Sequence, residues 1–141
     1  MKLKIFVFLI LVMFTFNPFK LFYDSNIPNV YQQEKILSEE FTKLNIINFK
    51  EKRREFVRQQ TYLVYYDFTN KSININELKS MLNKKFLDNG WSYSEEFTVY
   101  DNFSKINKLN INYDKENYYC TVIISDDGMA LRFRYKNYYQ K

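Results

Sequence analysis

The feature that most constrains this 141-residue chain is an uninterrupted apolar stretch near its amino terminus. Ile5 to Phe16 contains no charged residue, and Lys2 and Lys4 precede it. A helix that packs on a soluble core normally keeps one polar face, whereas this stretch is apolar all round. A basic start followed by an apolar run is the layout of an export signal. We therefore predict that residues 1–23 form a targeting segment and that residues 24–141 form the domain.

Two fates are open for this segment, retention as a membrane anchor or removal as a cleaved signal. Cleavage sites usually carry small residues at the first and third positions before the cut, and Thr15 to Tyr23 contains no Ala, Gly or Ser. Leu3 to Phe22 provides about 20 residues, the length that a helix needs to cross a hydrocarbon core of roughly 30 Å. The side chains of Lys4 and Lys20 can reach toward the two interfaces. We favour an uncleaved single-pass anchor that contacts the membrane through residues 3–22.

The lysines around the segment predict its orientation. Cytoplasmic flanks of membrane helices carry an excess of Lys and Arg, and the short amino-terminal side carries Lys2, Lys4 and the α-amino group. The far flank carries Lys20 and Lys35 over a longer stretch. The amino terminus is therefore expected in the cytoplasm and the domain outside it, which means the periplasm if the organism is a Gram-negative bacterium.

The formal net charge of +5 is concentrated in the same segment. Residues 1–23 contain three lysines and no acidic residue, so residues 24–141 retain a net charge of only +2. Domains that bind nucleic acid usually carry a concentrated basic face. The charge distribution therefore predicts no nucleic-acid partner.

The first helix of the domain is indicated by residues that recur at helical spacing. Leu37, Phe41 and Leu44 share one face of such a helix, and Asn29 precedes it as a candidate N-cap. This pattern predicts an amphipathic helix near the start of the domain.

A second helix is indicated by the stretch "NINELKSMLNKKFLDNGW". Asn74 is the expected N-cap, and Gly90 is expected to adopt the left-handed conformation just after the helix end. Trp91 is expected to fold back on the helix. The apolar residues that recur every four positions along it are Leu78, Leu82 and Phe86.

The remaining stretches are rich in β-branched and aromatic residues or alternate between apolar and polar, which is typical of strands. They are "FVRQQTYLVYYDFTN", "SYSEEFTVY", "KLNINY", "YYCTVIIS" and "MALRFRYKN". The sequence "DDG" between the last two predicts a hairpin. We therefore predict an α+β fold in which two helices pack on an antiparallel sheet of four or five strands.

The stretch "KEKRREFVR" at residues 50–58 leads into the first of these predicted strands and overlaps its first three residues. It could form a basic binding patch or a solvated face. Glu51 and Glu55 are spaced among its basic residues, so we favour the solvated face.

The last predicted strand has one apolar and one basic face. Arg132, Arg134 and Lys136 alternate along it, and Tyr138 continues the row by the same alternation. Such a row can simply keep a sheet face solvated. It can also bind an acidic partner, because Arg side chains grip carboxylates with two parallel hydrogen bonds. These four residues are the candidate partner-binding site.

Several enzyme classes are excluded by missing residue types. The chain has no His, so it lacks the pairs in which imidazole activates a Ser or Cys nucleophile. One Cys without any His leaves zinc no preferred ligand set, and two glycines cannot form a Gly-rich phosphate loop. Glu95 and Glu96 are adjacent carboxylates, but neighbouring strand residues point to opposite faces. We predict no catalytic residue, no metal, no cofactor and no small-molecule substrate.

The single cysteine, Cys120, has two interpretations. It lies in phase with Val122 and Ile124, which favours a small buried apolar residue. An unpaired cysteine in an exported protein can also form an intermolecular disulfide.

The order of a strand, a helix, Asn89-Gly90-Trp91, a strand and a terminal hairpin behind an export segment resembles that of many small, uncharacterised bacterial envelope domains. The resemblance covers residues 55–137. Many of those domains are lipoproteins, and this chain differs from them because it has no Cys near the apolar stretch. The resemblance implies an envelope location, and it implies no activity and no catalytic residue.

Two functions of different classes fit these features. The first is a membrane-tethered, non-enzymatic module that binds a protein partner outside the cytoplasm, for example an immunity-type protein. The second is a structural accessory subunit of a cell-envelope complex, in which the anchor packs against other membrane helices. The anchor contains no Gly, Ala or Ser that would permit close helix packing, which favours the first.

Overall fold

The computed structural model describes residues 28–58, 60–68 and 72–136. Within these ranges the chain forms two helices, α1 (Val30–Leu44) and α2 (Ile75–Asp88). The six strands are β1 (Lys50–Val57), β2 (Thr61–Asp67), β3 (Ser92–Asp101), β4 (Ile106–Lys115), β5 (Tyr118–Ser125) and β6 (Gly128–Tyr135).

All six strands belong to one antiparallel sheet with the order β1-β2-β6-β5-β4-β3. β1 and β2 form a hairpin, and β2 also pairs with β6, the last strand. In the sequence, α2, β3, β4 and β5 lie between β2 and β6. β1 and β3 are the two edges. The predicted α+β fold of two helices on an antiparallel sheet is confirmed, but the predicted number of four or five strands is wrong, because the sheet has six.

The additional strand is β1, which contains the basic stretch that the sequence favoured as a solvated face. Its Lys and Arg side chains do remain exposed, and Arg54 forms an ion pair with Glu51 at 2.7 Å. The Arg54 guanidinium also lies 4.9 Å from the centroid of the Phe41 ring, over α1. An edge strand needs only its backbone to pair on one side, so charged side chains on it are tolerated and even typical. The run of charged residues in β1 therefore gave no sign in the sequence that this stretch forms a strand.

A turn divides the stretch that the sequence predicted as one strand. Phe56 and Val57 end β1, and the Gln60 N–H donates to the Val57 carbonyl at 3.2 Å. Arg58 has a φ of +53°, which is uncommon for a residue with a side chain. Because this turn contains no Gly, Asn or Pro, it gave no recognisable turn signal.

Both predicted N-caps are confirmed. The Asn29 side-chain oxygen accepts from the Gln32 N–H at 3.0 Å, and the Gln32 side chain accepts from the Asn29 N–H at 3.3 Å, which completes a capping box. The Asn74 side-chain oxygen accepts from the Asn76 N–H at 3.0 Å. These bonds satisfy backbone donors that a helix start leaves without partners.

The predicted end of α2 is also confirmed. Gly90 has a φ of +79°, and its N–H donates to the Leu87 carbonyl at 3.0 Å. The Trp91 N–H donates to the Phe86 carbonyl at 3.0 Å, so the two bonds form a Schellman motif. The Trp91 ring packs edge-on against Phe86 with centroids 5.5 Å apart. The glycine thus turns the chain so that Trp91 enters the core.

The hydrophobic core lies between the helices and one face of the sheet. Cys120 is fully buried there, in line with its interpretation as a small apolar residue. The largest fully buried side chains of this core are Trp91, Tyr113, Phe86, Phe133, Leu37, Leu44, Leu82, Ile111, Ile124, Leu131, Val64 and Val122.

The predicted anchor, residues 3–22, lies outside the described residues. Neither of the two described helices is long and apolar enough to cross a membrane.

Candidate functional site

The face of the sheet opposite α1 and α2 carries no helix in the described part of the chain, and we call it the open face. Along β6, buried residues alternate with residues of the open face, as the pleat of a strand requires. The buried set is Met129, Leu131 and Phe133, and the open-face set is Ala130, Arg132 and Arg134. The row of basic residues that the sequence singled out therefore lies on the open face.

Arg132 occupies the middle of the open face. β6 is the third of six strands, and Arg132 faces Leu63 on β2 and Thr121 on β5. The residues that face one another across all six strands at this level are Glu55, Leu63, Arg132, Thr121, Asn112 and Glu95. Arg132 is the only basic member of this row, and it is two strands away from the nearest edge.

The three described basic residues of the row differ in their partners. The Arg134 Nε donates to the Thr61 hydroxyl at 2.9 Å, and the Lys136 Nζ forms an ion pair with Asp114 at 2.7 Å. The Arg132 guanidinium forms no side-chain hydrogen bond or ion pair within residues 28–58, 60–68 and 72–136. Tyr138 lies outside the described residues. Arg132 thus has the most unused hydrogen-bonding capacity of these three side chains.

Arg132 lines a concavity of about 350 Å³ on the open face. The wall includes Lys52 from one edge strand and Lys108 from the hairpin that contains the other edge. Residues from opposite ends of the sheet can share one depression only if the sheet curves around it. Leu63 is only 8% exposed although no described helix covers it, and it lies between Glu55 and Arg132 on the neighbouring strands.

The floor of the concavity is apolar. Leu63, Ile123 and Ala130 contribute aliphatic side chains, and Tyr65 adds an aromatic ring. All four are buried or half-buried. The site therefore combines an apolar floor with one unpaired guanidinium among the described residues.

Charge varies along the length of this site. Asp67 and Asp127 lie at the end of the concavity near the β5–β6 turn, where Gly128 pairs with Asp67. Arg132 lies four residues further along β6, which is about 13 Å from Gly128. Arg134 and Lys136 extend in the same direction, away from the two aspartates. Lys50 faces Asp67, and Lys52 and Lys108 also lie near the two aspartates, so charges of both signs occur at that end of the open face.

A chain of hydrogen bonds runs from the centre of the open face to the β3 edge. The Thr121 hydroxyl donates to the Asn112 side-chain oxygen at 2.7 Å, and the Asn112 Nδ2 donates to Glu95 at 2.8 Å. These bonds fix the rotamers of three residues beside Arg132. They present a rigid polar surface on β5, β4 and β3.

The structure does not bring Cys120 or the adjacent pair Glu95 and Glu96 together beside Arg132. Burial raises the pKa of the Cys120 thiol well above its ordinary value, and the side chain is on the opposite face of the sheet. Glu95 bonds to Asn112 on the open face, whereas Glu96 pairs with Lys79 of α2 at 2.7 Å on the other. The two carboxylates therefore do not share a site, as the sequence predicted. No cluster of three or more potential metal ligands occurs among the described residues.

The sequence did not identify the other residues of the concavity. Lys52 lies at an irregularity in the pairing of β1 with β2, inside a stretch whose strand character was not recognised. The sequence does not mark Leu63 and Ile123 as part of a site, because isolated apolar residues on the solvent-facing side of a strand are common. Their contribution depends on the curvature of the whole sheet, which local patterns do not encode.

No protein-family model matches the chain, and comparison with curated proteins and with solved structures finds no match either.

Proposed function

We propose that the chain is a membrane-tethered, non-enzymatic module that binds a protein partner outside the cytoplasm. Residues 3–22 provide the tether. The open face around Arg132 provides the binding surface, and the partner contributes an acidic segment. An immunity-type protein that holds another protein at the cell envelope would be one example.

The observation that carries this proposal is the unpaired guanidinium of Arg132. A guanidinium has five N–H donors, and burying it without acceptors is unfavourable. Arg132 is half-buried in the concavity and has no side-chain partner among the described residues. A carboxylate supplies two acceptor oxygens in the geometry that a guanidinium prefers. An acidic side chain of a partner would therefore complete this site.

The surroundings of Arg132 resemble the centre of a protein interface in composition. Interface centres are depleted in charged residues generally, but Arg and aromatic residues are enriched there. Arg132 stands beside the apolar floor formed by Leu63, Ile123 and Ala130, with Tyr65 next to it. The apolar floor would exclude water from a bound carboxylate and so strengthen its attraction to the guanidinium.

The length of the basic row favours an extended protein segment over a small molecule. From Arg132 to Lys136 the row spans about 13 Å along the strand. Arg134 donates to neutral hydroxyl groups, so its positive charge is not cancelled, whereas Asp114 offsets the charge of Lys136. Within the row, Arg132 and Arg134 therefore keep their positive charge, and a partner's acidic residues are expected to lie there.

The proposal is tested by affinity capture of the tagged full-length chain from detergent-solubilised membranes, followed by mass spectrometry. Arg132→Glu is compared with Lys84→Glu, which makes the same change of charge on the exposed side of α2, where Lys84 pairs with Asp88. We expect one protein that the native chain and Lys84→Glu both capture and that Arg132→Glu loses. Thermal unfolding establishes that both variants remain folded. Equal capture by the two variants would contradict the proposed site, and capture of no protein by the native chain would contradict the proposed function.

A further inference from the structure

The two edges of the sheet are protected very differently against pairing with another strand. β1 carries Lys50, Lys52, Arg53 and Arg54, and its pairing with β2 is irregular between Glu51 and Arg53. Positive charges and irregularities of this kind are the usual devices that keep an edge strand from pairing. β3 is ten residues long and contains no Lys, Arg or Pro, and its one pairing irregularity lies near its start, between Tyr93 and Glu95.

β3 also exposes apolar side chains on both of its faces. Four of its large apolar residues are between 42% and 52% exposed, namely Tyr93, Phe97, Val99 and Tyr100. Its neighbour β4 shields only one side of the strand, and the other side is free to pair within the described part of the chain. A long, exposed and apolar edge strand is a template for strand addition.

The acidic residues of β3 do not prevent close approach of a second strand. Glu96 forms an ion pair with Lys79 at 2.7 Å, and Asp101 forms one with Lys108 at 2.5 Å. Glu95 accepts a hydrogen bond from Asn112 at 2.8 Å. Two of the three carboxylates therefore have a compensating positive charge.

We propose that β3 pairs with β3 of a second copy of this chain, antiparallel and centred on Phe97. The two six-stranded sheets then form one continuous sheet of twelve strands, with both open faces on the same side. In this register Phe97 faces Phe97 of the other copy, Glu95 faces Val99, and Glu96 faces Thr98. Every acidic residue in the central five residues is thus opposite an uncharged one.

The neighbouring registers that keep the two open faces on the same side are unfavourable. Centring the pair on Glu96 places this residue directly opposite itself. Centring it on Thr98 places Glu95 opposite Asp101. Like charges directly opposite each other destabilise antiparallel pairs. The ion pairs of Glu96 and Asp101 reduce this repulsion without removing it, so the sequence of β3 favours the register centred on Phe97.

The regular part of the strand sets the extent of this pairing. The pairing of β3 with β4 is irregular between Tyr93 and Glu95, which limits a straight ladder to the residues that follow. Glu95 to Val99 is the segment that is self-complementary. Two identical copies also bring the exposed rings of Phe97 into contact, and aromatic cross-strand pairs stabilise antiparallel sheets.

Cysteine cross-linking of the full-length chain in isolated membranes tests the register. Directly opposed residues of antiparallel strands have Cα atoms about 4.5 to 5.5 Å apart, within the range that a disulfide spans. Phe97→Cys is therefore expected to form a disulfide-linked dimer under mild oxidation. Phe103→Cys is the matched control, because Phe103 is fully exposed on the same hairpin, whereas Phe97 is 42% exposed. Random collisions would favour cross-linking at position 103.

We expect Phe97→Cys to cross-link roughly tenfold faster than Phe103→Cys, because pairing raises the local thiol concentration. Copies carrying Glu95→Cys and copies carrying Val99→Cys, expressed together, are expected to link to each other more than to themselves. The native chain, whose only cysteine is the fully buried Cys120, shows how much cross-linking occurs without an introduced cysteine. The proposal is overturned if Phe103→Cys reacts as fast as Phe97→Cys, or if the Phe97→Cys adduct has the mass of a different protein. Neither outcome depends on Arg132, so this test is independent of the proposed partner.

Discussion

Gly128 begins β6 beside the backbone of β2, and the space for a side chain is absent there. A Cβ atom built on Gly128 would lie 2.5 Å from the Tyr66 carbonyl oxygen. The φ angle of this residue is not positive, so the glycine is required by close approach and not by backbone conformation. Gly90 is the opposite case, because its φ is +79° and a Cβ there would meet only the Lys115 side chain at 3.8 Å.

These two positions predict different costs for the same substitution. Gly128→Ala is expected to lower the free energy of unfolding by about 1 to 3 kcal/mol, since the neighbouring backbone must move. Gly90→Ala is expected to lower it by about 1 kcal/mol, the cost of a left-handed conformation for alanine. Urea titration of the full-length chain in detergent, followed by the fluorescence of its only tryptophan, measures both. A larger loss for Gly90→Ala than for Gly128→Ala would contradict these assignments.

The side chain of Trp91 carries more of the stability than either glycine. It is 2% exposed and contacts Phe86, Tyr118 and Phe133 with ring centroids 5.5 to 5.8 Å apart. Trp91→Ala is therefore expected to lower the free energy of unfolding by about 3 kcal/mol or more, measured by circular dichroism because the fluorophore is removed. A loss under about 1 kcal/mol would mean that the ring is not part of the core.

At the scale of elements, Lys115 joins both helices to the sheet. Its Nζ donates to Glu40 of α1 at 2.6 Å and to the Asn89 carbonyl at the end of α2 at 2.9 Å. The Glu40 side chain is only 5% exposed and also pairs with Lys43 at 2.5 Å. A buried carboxylate is stable only when it is paired, so Lys115 links α1 and the end of α2 to β4.

Removing this link is expected to destabilise the domain. Lys115→Met should lower the free energy of unfolding by about 2 kcal/mol, the usual worth of a hydrogen bond to a charged group. Lys84→Met removes an exposed ion pair with Asp88 and should change it by less than about 0.5 kcal/mol. Urea titrations of the two variants decide the point, and equal effects would contradict a structural role for Lys115.

Glu40 also makes stability depend on pH. Burial alone would raise the pKa of Glu40, but hydrogen bonds from Lys115 and Lys43 outweigh it, so the pKa lies below its ordinary value of 4.5. A carboxylate with a lowered pKa stabilises the fold above the unfolded-state pKa, and this contribution is lost as the pH falls through the folded-state pKa. The native chain is therefore expected to have a higher free energy of unfolding than Glu40→Gln at neutral pH. This difference should shrink as the pH falls below about 4.5. Urea titrations of both proteins at several pH values measure this difference. A difference that stays constant down to pH 3 would rule out this explanation.

The elements that sequence patterns predicted are those whose signals are local. The ends of α2 depend on Asn74 and Gly90, and the β5–β6 hairpin depends on adjacent turn residues, so each was recognisable. β1 was missed because its charged side chains do not alternate in polarity. Its strand conformation comes from backbone pairing with β2, and that depends on a turn whose left-handed residue is Arg58.

For the whole molecule, the first prediction concerns the predicted anchor. The absence of Ala, Gly and Ser from Thr15 to Tyr23 predicts that the chain keeps residues 1–23 and stays with the membrane under carbonate extraction. Intact-mass measurement of the purified protein gives the amino-terminal residue directly. A soluble species that begins near residues 24–30 would show that the segment is a cleaved signal.

The candidate site was only partly predictable, because it depends on the shape of the whole sheet. Alternation along β6 placed Arg132 and Arg134 on one face without further information. It could not show that Lys136 pairs with Asp114 while Arg132 has no side-chain partner among the described residues. Those differences arise from the strands that lie on either side of β6, and their order is set by pairing between distant parts of the chain.

The central claim is that Arg132 binds a carboxylate of a protein partner on the open face. The most direct test is the dissociation constant of the captured partner for the native chain, Arg132→Gln and Lys84→Gln, each at low salt and at 150 mM salt. We expect Arg132→Gln to bind about tenfold more weakly or worse, a loss of about 1.4 kcal/mol, and to show a weaker salt dependence. Lys84→Gln should bind as the native chain does. If Arg132→Gln matches the native chain in affinity and in salt dependence, the open face around Arg132 is not the binding site.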